Sequence, residues 1–349
     1  MNTAGLPATR WGVLIVALVI SFLGNLYIGS VSIPFDAVTD ILTARDGDTV
    51  SSGIRFIILQ SRLPAALTAT LCGAALAVSG LLLQTSFRNP LAGPSVLGIN
   101  SGASLGVAVV MLIGSGSMIA GAMEFGTEIA IMIGALLGSF LIMAILLALS
   151  AWLRNDLMLL ITGILVGYLA SSVIMVLNFS ATSDGVQNYV IWGMGSFTAV
   201  PLDRLPVFAS IIMVGLLLAV LLAKPLDLLL LGNDYARNLG VNLSRTRNLL
   251  LLSTGILAAA VTAFCGPVSF IGLAVPHMAR MVMRTDTHRI LLPATIILGA
   301  IVGAACNILS VLPSSGLIPG INSAALLPLN AVTPLFGVPV ILYVILQRR

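Results

Sequence analysis

The chain has 349 residues, of which 58% are hydrophobic and 8% are charged, and its formal net charge is +4. So apolar a composition excludes an ordinary soluble protein and indicates a polytopic membrane protein. The small basic excess fits an orientation signal in such a protein, so it does not indicate a nucleic-acid partner.

The membrane-spanning segments are predicted to be α-helices. A helix needs about 20 mainly apolar residues to cross a bilayer, whereas a barrel strand would alternate polar and apolar residues over about ten positions. The apolar runs here are long and unbroken, as in Ile129–Ala151 and Val207–Ala223. The sequence therefore predicts an all-α polytopic fold in which residues 1–349 form a single transmembrane domain. The ten candidate spans are approximately Trp11–Gly29, Leu63–Leu83, Val96–Ile113, Ile129–Ala151, Leu157–Phe179, Pro206–Ala223, Leu249–Cys265, Phe270–Met283, Ile290–Val311 and Val332–Leu346.

The distribution of basic residues predicts a cytoplasmic N-terminus. With that orientation, and an even number of spans, the C-terminal tail is also cytoplasmic, as the positive-inside rule requires. A cleaved signal peptide is the alternative reading of the first span, but no small-x-small site precedes Asn25 and nine further spans follow. The twelve basic residues on the inside are Arg10, Arg88, Arg154, Lys224, Arg237, Arg245, Arg247, Arg280, Arg284, Arg289, Arg348 and Arg349, and the four outside are Arg45, Arg55, Arg62 and Arg204.

The sequence lacks the residues that several classes of function require. The spans are nearly empty of ionisable residues, which disfavours a proton-coupled carrier, although Na⁺ coupling through backbone carbonyls stays open. Lys224 is the single lysine and Pro225 follows it, so the chain has no P-loop for ATP. The three cysteines show no metal-ligand spacing, the two histidines form no HExxH motif, and no catalytic set is evident. Active transport would therefore draw its energy from a partner, and a self-sufficient secondary carrier or channel remains the alternative.

One polar segment, Leu231–Asn248, interrupts the apolar sequence. Gly232 and Gly240 flank about two helical turns at Asn233–Leu239, so the pattern predicts two short helices separated by Gly240. Such a loop, placed between two long apolar stretches, indicates a docking site for a soluble partner.

Three other segments carry more information than hydrophobicity alone. In Arg62–Gly106, a helix from Pro64 to about Leu83 is followed by a break at Asn89–Pro94, and glycines then recur every four residues to leave a face where another backbone can approach. Gly266–Arg280 holds a Pro-His pair that we interpret as packing, and Leu327–Leu346 is expected to be a bent last helix.

Together these four segments resemble the FecCD-type permease family, the membrane subunits of type II ABC importers for iron–siderophores, haem and vitamin B12. The matching residues run from Arg62 to Leu346 and are strongest in RLP, GAALAVSG, NPLA, AR-LGV, SFIGL and VPH-AR. The resemblance implies ten helices per subunit, a homodimer or close heterodimer, two cytoplasmic ATPases and a periplasmic binding protein. It also implies location in the bacterial inner membrane, with no cofactor on this chain and with ATP and Mg²⁺ on the partner ATPase. An iron–siderophore is the first expected cargo, and haem and cobalamin are the alternatives.

The resemblance also implies roles for particular residues. A coupling loop at about residues 226–248 would enter a cleft of the ATPase, and Asn233 stands there where an acidic residue is usual. A cytoplasmic gate would lie below a pore lined by the fifth span, and arginines on the outer face would dock the binding protein, with the stretch Pro313–Leu326 facing it. The coupling residues are Gly232, Asn233, Asp234, Ala236, Arg237, Leu239 and Gly240; the gate residues are Asn89, Pro90, Leu91, Asn155, Asp156 and Leu157; the pore-lining residues are Thr162, Gly163, Gly167, Ser171 and Ser172; and the docking residues are Arg55 and Arg62.

Overall fold

A computed structural model of the protein describes residues 8–42, 51–113, 126–153, 156–315 and 326–347, and all the regular structure in those ranges is helical. Two stretches of π-helix, Ile57–Arg62 and Val109–Ile113, continue neighbouring helices. The α-helices are α1 (Ala8–Tyr27), α2 (Phe35–Leu42), α3 (Ser52–Phe56), α4 (Leu63–Ser86), α5 (Ile99–Ala108), α6 (Gly126–Trp152), α7 (Asp156–Ser180), α8 (Ser183–Met194), α9 (Leu205–Leu221), α10 (Ala223–Leu229), α11 (Asn233–Asn238), α12 (Leu243–Cys265), α13 (Ile271–Met283), α14 (His288–Val311) and α15 (Leu329–Gln347).

Each of the ten predicted spans coincides with a helix, but not every helix is long enough to cross a bilayer by itself. Among the described residues, six helices have the length and composition of a span, and a seventh results if α9 and α10 count as one span bent by 46°. The bend follows from Pro225, because proline removes one backbone hydrogen bond and its ring crowds the preceding turn. The apolar helices at Ile99–Ile113, Ile271–Met283 and Leu329–Val344 are shorter. Ten crossings therefore remain a prediction.

The centre of the bundle is formed by α4 and α12. From Pro64 to Thr85 nearly every side chain of α4 is buried, whereas an amphipathic helix would bury only one stripe. Around α4 lie α9, α12, α13 and α14, while α6 packs on α5 and α12. By contrast, α1, α6 and α7 keep many large apolar side chains exposed, as expected for helices that face lipid or another subunit.

Two seams between helices bring backbones into direct contact through glycine. In the first seam, a Cβ atom added at Gly73 of α4 would lie 2.0 Å from the carbonyl oxygen of Gly299 in α14. In the second, a Cβ atom added at Gly106 of α5 would lie 1.9 Å from the carbonyl oxygen of Gly134 in α6. The prediction that the recurring glycines after Asn89–Pro94 admit another backbone is thereby confirmed. Small residues at helix interfaces allow this approach in membrane proteins.

A polar contact joins α1 to α14 inside the bundle. The Nδ2 atom of Asn307 donates to Oδ1 of Asn25 at 2.7 Å, and Nδ2 of Asn25 donates to the Ala304 carbonyl oxygen at 3.0 Å. Both side chains are buried. Since a buried polar group without a partner is costly, these hydrogen bonds fix how the first helix lies against α14.

Candidate functional site

The predicted coupling segment forms a compact loop between α10 and α12. Gly232 and Gly240 have φ angles of 111° and 85°, which only glycine adopts without strain. A Schellman motif ends the helix α11. The N–H of Val241 donates to the Ala236 carbonyl oxygen at 3.0 Å, and the N–H of Gly240 donates to the Arg237 carbonyl oxygen at 3.0 Å. One short helix at Asn233–Leu239 is therefore confirmed.

The prediction of a second short helix after Gly240 is wrong, because a long helix begins there. The side chain of Asn242 accepts a hydrogen bond from the N–H of Arg245 at 2.9 Å and so caps the N-terminus of α12. Because neither glycine nor proline occurs between Leu243 and Thr254, the helix then continues without a break to Cys265. The residues after Gly240 are the first turn of a long helix.

The loop presents an apolar surface with charges around it. Ala236 is fully buried and anchors α11, whereas Tyr235 is 68% exposed and Leu239 58% exposed. Asp234 and Arg237 are also exposed. We call Leu230, Leu231, Tyr235 and Leu239 the loop surface, because all four are exposed. An apolar centre with a polar rim is typical of a protein–protein interface.

The first part of the predicted gate is a turn that follows α4. The N–H of Leu91 donates to Oδ1 of Asn89 at 2.9 Å, which closes the turn. The Nε2 atom of His277 donates to the Pro90 carbonyl oxygen at 3.0 Å and so holds the turn against α13. We call Asn89–Leu91 the gate turn. In the second part, Asp156 and Leu157 begin α7 and the side chain of Leu157 is exposed, whereas Asn155 lies outside the described residues.

The structure brings the gate turn and the loop together, which no sequence pattern indicated. Arg88 precedes the gate turn, and its Nη2 atom donates to Oδ1 of Asn233 at 3.0 Å and to the Leu229 carbonyl oxygen at 3.3 Å. The uncharged side chain of Asn233 thus accepts a hydrogen bond from within the same chain.

Further polar contacts, in which Gln84, Thr85 and His288 are buried, lie at the same end of the helices. This end carries Arg88, Arg237 and Arg284, and we call it the basic end. The Nη1 atom of Arg280 donates to Oε1 of Gln84 at 2.8 Å, and Arg280 also forms an ion pair with Asp286 at 3.4 Å. Oγ1 of Thr85 lies 2.9 Å from Nε2 of His288, and Nδ1 of His288 lies 2.9 Å from Oδ1 of Asp227. Together they connect the last turn of α4 to α10, α13 and α14.

The residues predicted to line a pore on α7 divide into two groups. Ser171 and Ser172 lie at exposed positions, and each hydroxyl donates to the carbonyl oxygen four residues earlier, at 3.0 Å. Thr162 makes the same bond at 2.8 Å. Gly163 and Gly167 instead are buried against the backbone around Gly98. A Cβ atom added at Gly98 would lie 2.7 Å from the Gly163 carbonyl oxygen. In this structure these two glycines are packing residues and line no open surface.

A polar cavity of about 460 Å³ adjoins Ser171. It lies where α5, α7 and α8 meet the start of α15 and the stretch between α12 and α13. Hydroxyl and amide groups share its wall with Ile174, Pro267 and Val268, and none of its side chains is charged. The polar side chains that line it are Ser95, Asn100, Ser101, Ser104, Ser171, Tyr189, Ser269 and Asn330.

Possible ligands for a metal ion are dispersed in the described part of the chain, where no three His, Cys, Asp or Glu side chains converge. The thiols of Cys72 and Cys265 lie 3.3 Å apart between α4 and α12, and both are buried and unbridged. Buried thiols of this kind pack as small apolar side chains.

The two arginines predicted to dock a binding protein differ in their surroundings. Arg55 is exposed on α3. Arg62 is only 7% exposed, and its Nη1 atom donates to the carbonyl oxygens of Leu26 at 2.8 Å and Tyr27 at 2.9 Å, while Nη2 donates to that of Val31. The carbonyl groups of Leu26 and Tyr27 belong to the last turn of α1, where carbonyl groups have no partners within the helix, and that of Val31 lies just beyond it. The guanidinium of Arg62 therefore stabilises the end of α1 in this structure and does not present its charge to a partner.

Replacing Arg62 by methionine is expected to lower the free energy of unfolding, because each buried carbonyl group left without a donor costs about 1–3 kcal/mol. Thermal unfolding of the detergent-purified protein measures the change. Arg55→Met is the matched control, since its side chain is exposed, and it is expected to have little effect. Equal unfolding temperatures for the two variants would contradict the structural role of Arg62.

Known proteins resemble this chain in both sequence and structure. The model of the FecCD transport family matches residues 16–347. A hemin transport system permease protein, HmuU of Yersinia pestis, is 36% identical over 355 aligned residues, which cover 100% of this chain and 98% of that relative. A vitamin B12 import system permease protein, BtuC of Klebsiella pneumoniae, is 34% identical and covers 87% of this chain and 86% of its own length.

A solved structure also resembles the chain throughout. It is described as a metal-chelate type ABC transporter in an inward-facing conformation. The two chains superpose with a TM-score of 0.81 at 28% identity, and the match covers 98% of this chain and 99% of the other.

The long apolar helices and the glycine seams describe a helical, multi-pass membrane protein, and the similarity to transport permeases places it in the transporter class. The match over nearly the whole length assigns it further: the chain belongs to the FecCD transport family.

Proposed function

We propose that this chain is the permease subunit of a type II ABC importer, which passes a bulky metal chelate across the bacterial inner membrane. The observation that carries the proposal is the family match over residues 16–347 together with the exposed loop surface. Haem and vitamin B12 are candidate cargoes, because relatives named for hemin and vitamin B12 each cover most of the chain. An iron–siderophore, the cargo expected first from the family resemblance, is the third candidate. The chain itself catalyses no bond chemistry in this proposal.

Four partners follow from the proposal besides membrane lipid. A second copy of the chain would cover part of the apolar face of α7, where Phe179 is 92% exposed. Two ATPases would each dock on the loop surface of one subunit. A periplasmic binding protein would deliver the cargo at the opposite end of the helices, where Arg55 is exposed. The basic end then faces the cytoplasm, together with both chain termini, as the positive-inside rule requires.

The proposed mechanism converts closure of the ATPase dimer into movement of the loop. Since Ala236 is buried and the Schellman motif closes the C-terminus of α11, the loop moves as a unit with its docked partner. Arg88 then carries that movement to the gate turn through its bond to Asn233. The hydroxyl groups of Ser171 and Ser172 are bonded within α7 and so expose few free donors, which suits a passage that must release its cargo.

Purification of the tagged chain from its own cells tests the proposal. We expect an ATPase to copurify. Proteoliposomes that contain the complex, with the periplasmic binding protein supplied on the side opposite the loop, are expected to transport haemin, cyanocobalamin or a ferric siderophore only when ATP is present on the loop side. A complex with methionine in place of the invariant lysine of the ATPase phosphate-binding loop is the control for energy coupling. Transport by the chain alone along an ion gradient, without nucleotide, would instead establish a secondary carrier and refute the proposal.

A further inference from the structure

A buried hydrogen-bonded bridge crosses the basic end from α10 through α14 to α4. His288 is 1% exposed and is the first residue of α14. Its Nδ1 atom lies 2.9 Å from Oδ1 of Asp227, and its Nε2 atom lies 2.9 Å from Oγ1 of Thr85. The backbone N–H of His288 donates to the same Asp227 oxygen at 2.5 Å. Three helices that are far apart in sequence therefore meet at one imidazole.

The direction of these hydrogen bonds follows from the groups themselves. An ionised carboxylate can only accept, so Nδ1 of His288 carries a proton and donates to Asp227. In a neutral imidazole Nε2 is then an acceptor, and it shares the single hydroxyl proton of Thr85 with the Leu81 carbonyl oxygen, which lies 3.0 Å from Oγ1. Asp227 also fills the place of an N-cap for α14, because Thr287 at the cap position makes no side-chain bond to the first turn. Asp227 and Thr85 thus hold the imidazole of His288 in one orientation, from opposite sides of the ring.

The bridge occupies a particular place in the chain. Asp227 belongs to α10, which leads into the loop, and Thr85 lies in the last turn of α4, four residues before the gate turn. On the exposed side of the same junction, Arg88 donates to Asn233. The loop is therefore attached to the end of α4 at two points, one buried and one exposed, and the gate turn follows directly from both.

We propose that His288 is a positioning residue for coupling, which transmits displacement of the loop through Asp227 and Thr85 to the end of α4 and so to the gate turn. This inference rests on the proposed function and assigns its moving parts. A displacement of α10 that left α4 behind would break the bonds of His288, whose buried imidazole is only 1% exposed and has little access to water as a replacement partner. The bridge makes it more favourable for the two helices to move together.

The alternative role for these side chains is static, in which they only satisfy one another in a packed interior. A static bridge and a transmitting bridge differ in what the loss of one hydroxyl does. Thr85→Val keeps the shape of the side chain and removes its hydrogen bonds to His288 and to the Leu81 carbonyl oxygen of its own helix, whereas Thr85→Ser keeps both. Thr295→Val is the matched control, because the buried hydroxyl of Thr295 donates at 2.7 Å to Leu291 of its own helix and touches no part of the bridge.

The experiment uses the complete complex of the tagged chain with its copurified ATPase, reconstituted in liposomes. With the binding protein supplied on the side opposite the loop, cargo transported per ATP hydrolysed is measured with haemin, cyanocobalamin or a ferric siderophore, whichever the parental complex transports. We expect Thr85→Val to lower this ratio by about tenfold, within the range of coupling between two sites, while the rate of ATP hydrolysis and the yield of complex persist. Thr85→Ser and Thr295→Val are expected to keep the parental ratio.

A second readout follows the gate turn directly. Leu91→Cys introduces a thiol at an exposed position, and the native thiols of Cys72, Cys265 and Cys306 are all buried. Its rate of labelling by a charged maleimide is expected to change when ATP and vanadate are added to the otherwise parental complex. In the Leu91→Cys, Thr85→Val double variant that response is expected to disappear, and with Thr85→Ser it is expected to return.

The outcomes separate this inference from the proposed function. A parental ratio and a parental labelling response in Thr85→Val would overturn the role of the bridge, while ATP-dependent transport would still stand. Absence of any nucleotide-dependent transport in the parental complex would overturn the proposed function first. If Thr85→Val does not assemble, Asp227→Asn decides by the same ratio, since it keeps the size of the side chain and removes its charge. In the Thr85→Val, Asp227→Asn double variant, the ratio of cargo to ATP should fall no further than in the single variants, because both residues act through His288.

Discussion

Valine in place of Gly73 is expected to prevent stable packing of α4 against α14. A Cβ atom at this position would lie 2.0 Å from the Gly299 carbonyl oxygen, far inside van der Waals contact. The obstacle is backbone, so no side chain can turn away to make room. Overpacking of a core costs about 1–3 kcal/mol and occasionally more, and the rigid obstacle places this variant at or above the upper end.

The measurement is thermal unfolding in detergent, followed by the fraction of protein that stays monodisperse on size-exclusion chromatography. Gly12→Val is the control, because Gly12 also lies in a helix but has nothing within 4 Å of the added Cβ atom. We expect the Gly73 variant to lose at least about 5 °C, or to fail to accumulate, while the Gly12 variant stays near the parent. Equal stability of both variants would contradict the seam.

Reversing the charge of Arg237 is expected to abolish cargo uptake. Arg237 is exposed on α11 beside the loop surface, where it would pair with the ATPase. Removing one partner of a desolvated charge pair at an interface costs about 2–5 kcal/mol, and reversal adds repulsion, so we expect uptake to fall by about a hundredfold or more. Deletion of Asn233–Leu239 is expected to have the same result, because it removes α11 together with most of the loop surface.

Uptake by cells and the amount of copurified ATPase are the two readouts. Arg284→Glu is the control, since Arg284 is exposed at the same basic end but lies outside the loop. The helices themselves should persist in Arg237→Glu, which circular dichroism of the purified chain would show. Parental recovery of the ATPase with Arg237→Glu would refute the docking role of this residue.

The sequence was sufficient to predict where the long helices lie, because apolar length and glycine spacing are local properties. It was not sufficient for α8, which has only 12 residues and includes Asp184, Gln187 and Asn188, so that it lacks the signal of a span. The start of α12 was also missed, because its first turn carries Arg245 and Arg247 and resembles a solvated loop.

The candidate site was predictable only where its residues are neighbours in the chain. The loop and the gate turn each follow from a local pattern of glycine, proline and polar residues. Their connection does not, because Arg88 and Asn233 are 145 residues apart, and Thr85 and His288 are 203 residues apart. Burial likewise depends on what packs from elsewhere, which is why Arg62 and the two glycines of α7 were expected on open surfaces.

The glycine seams have a consequence for how a transport cycle can proceed. Side chains at an ordinary helix interface can change rotamer and let the helices slide, but a contact of backbone on backbone leaves no such freedom. The pairs α4–α14 and α5–α6 would therefore each travel as one rigid block. Any alternation between the two sides of the membrane would be confined to the boundaries between these blocks, so pairs of spin labels within one block should keep a constant separation throughout turnover.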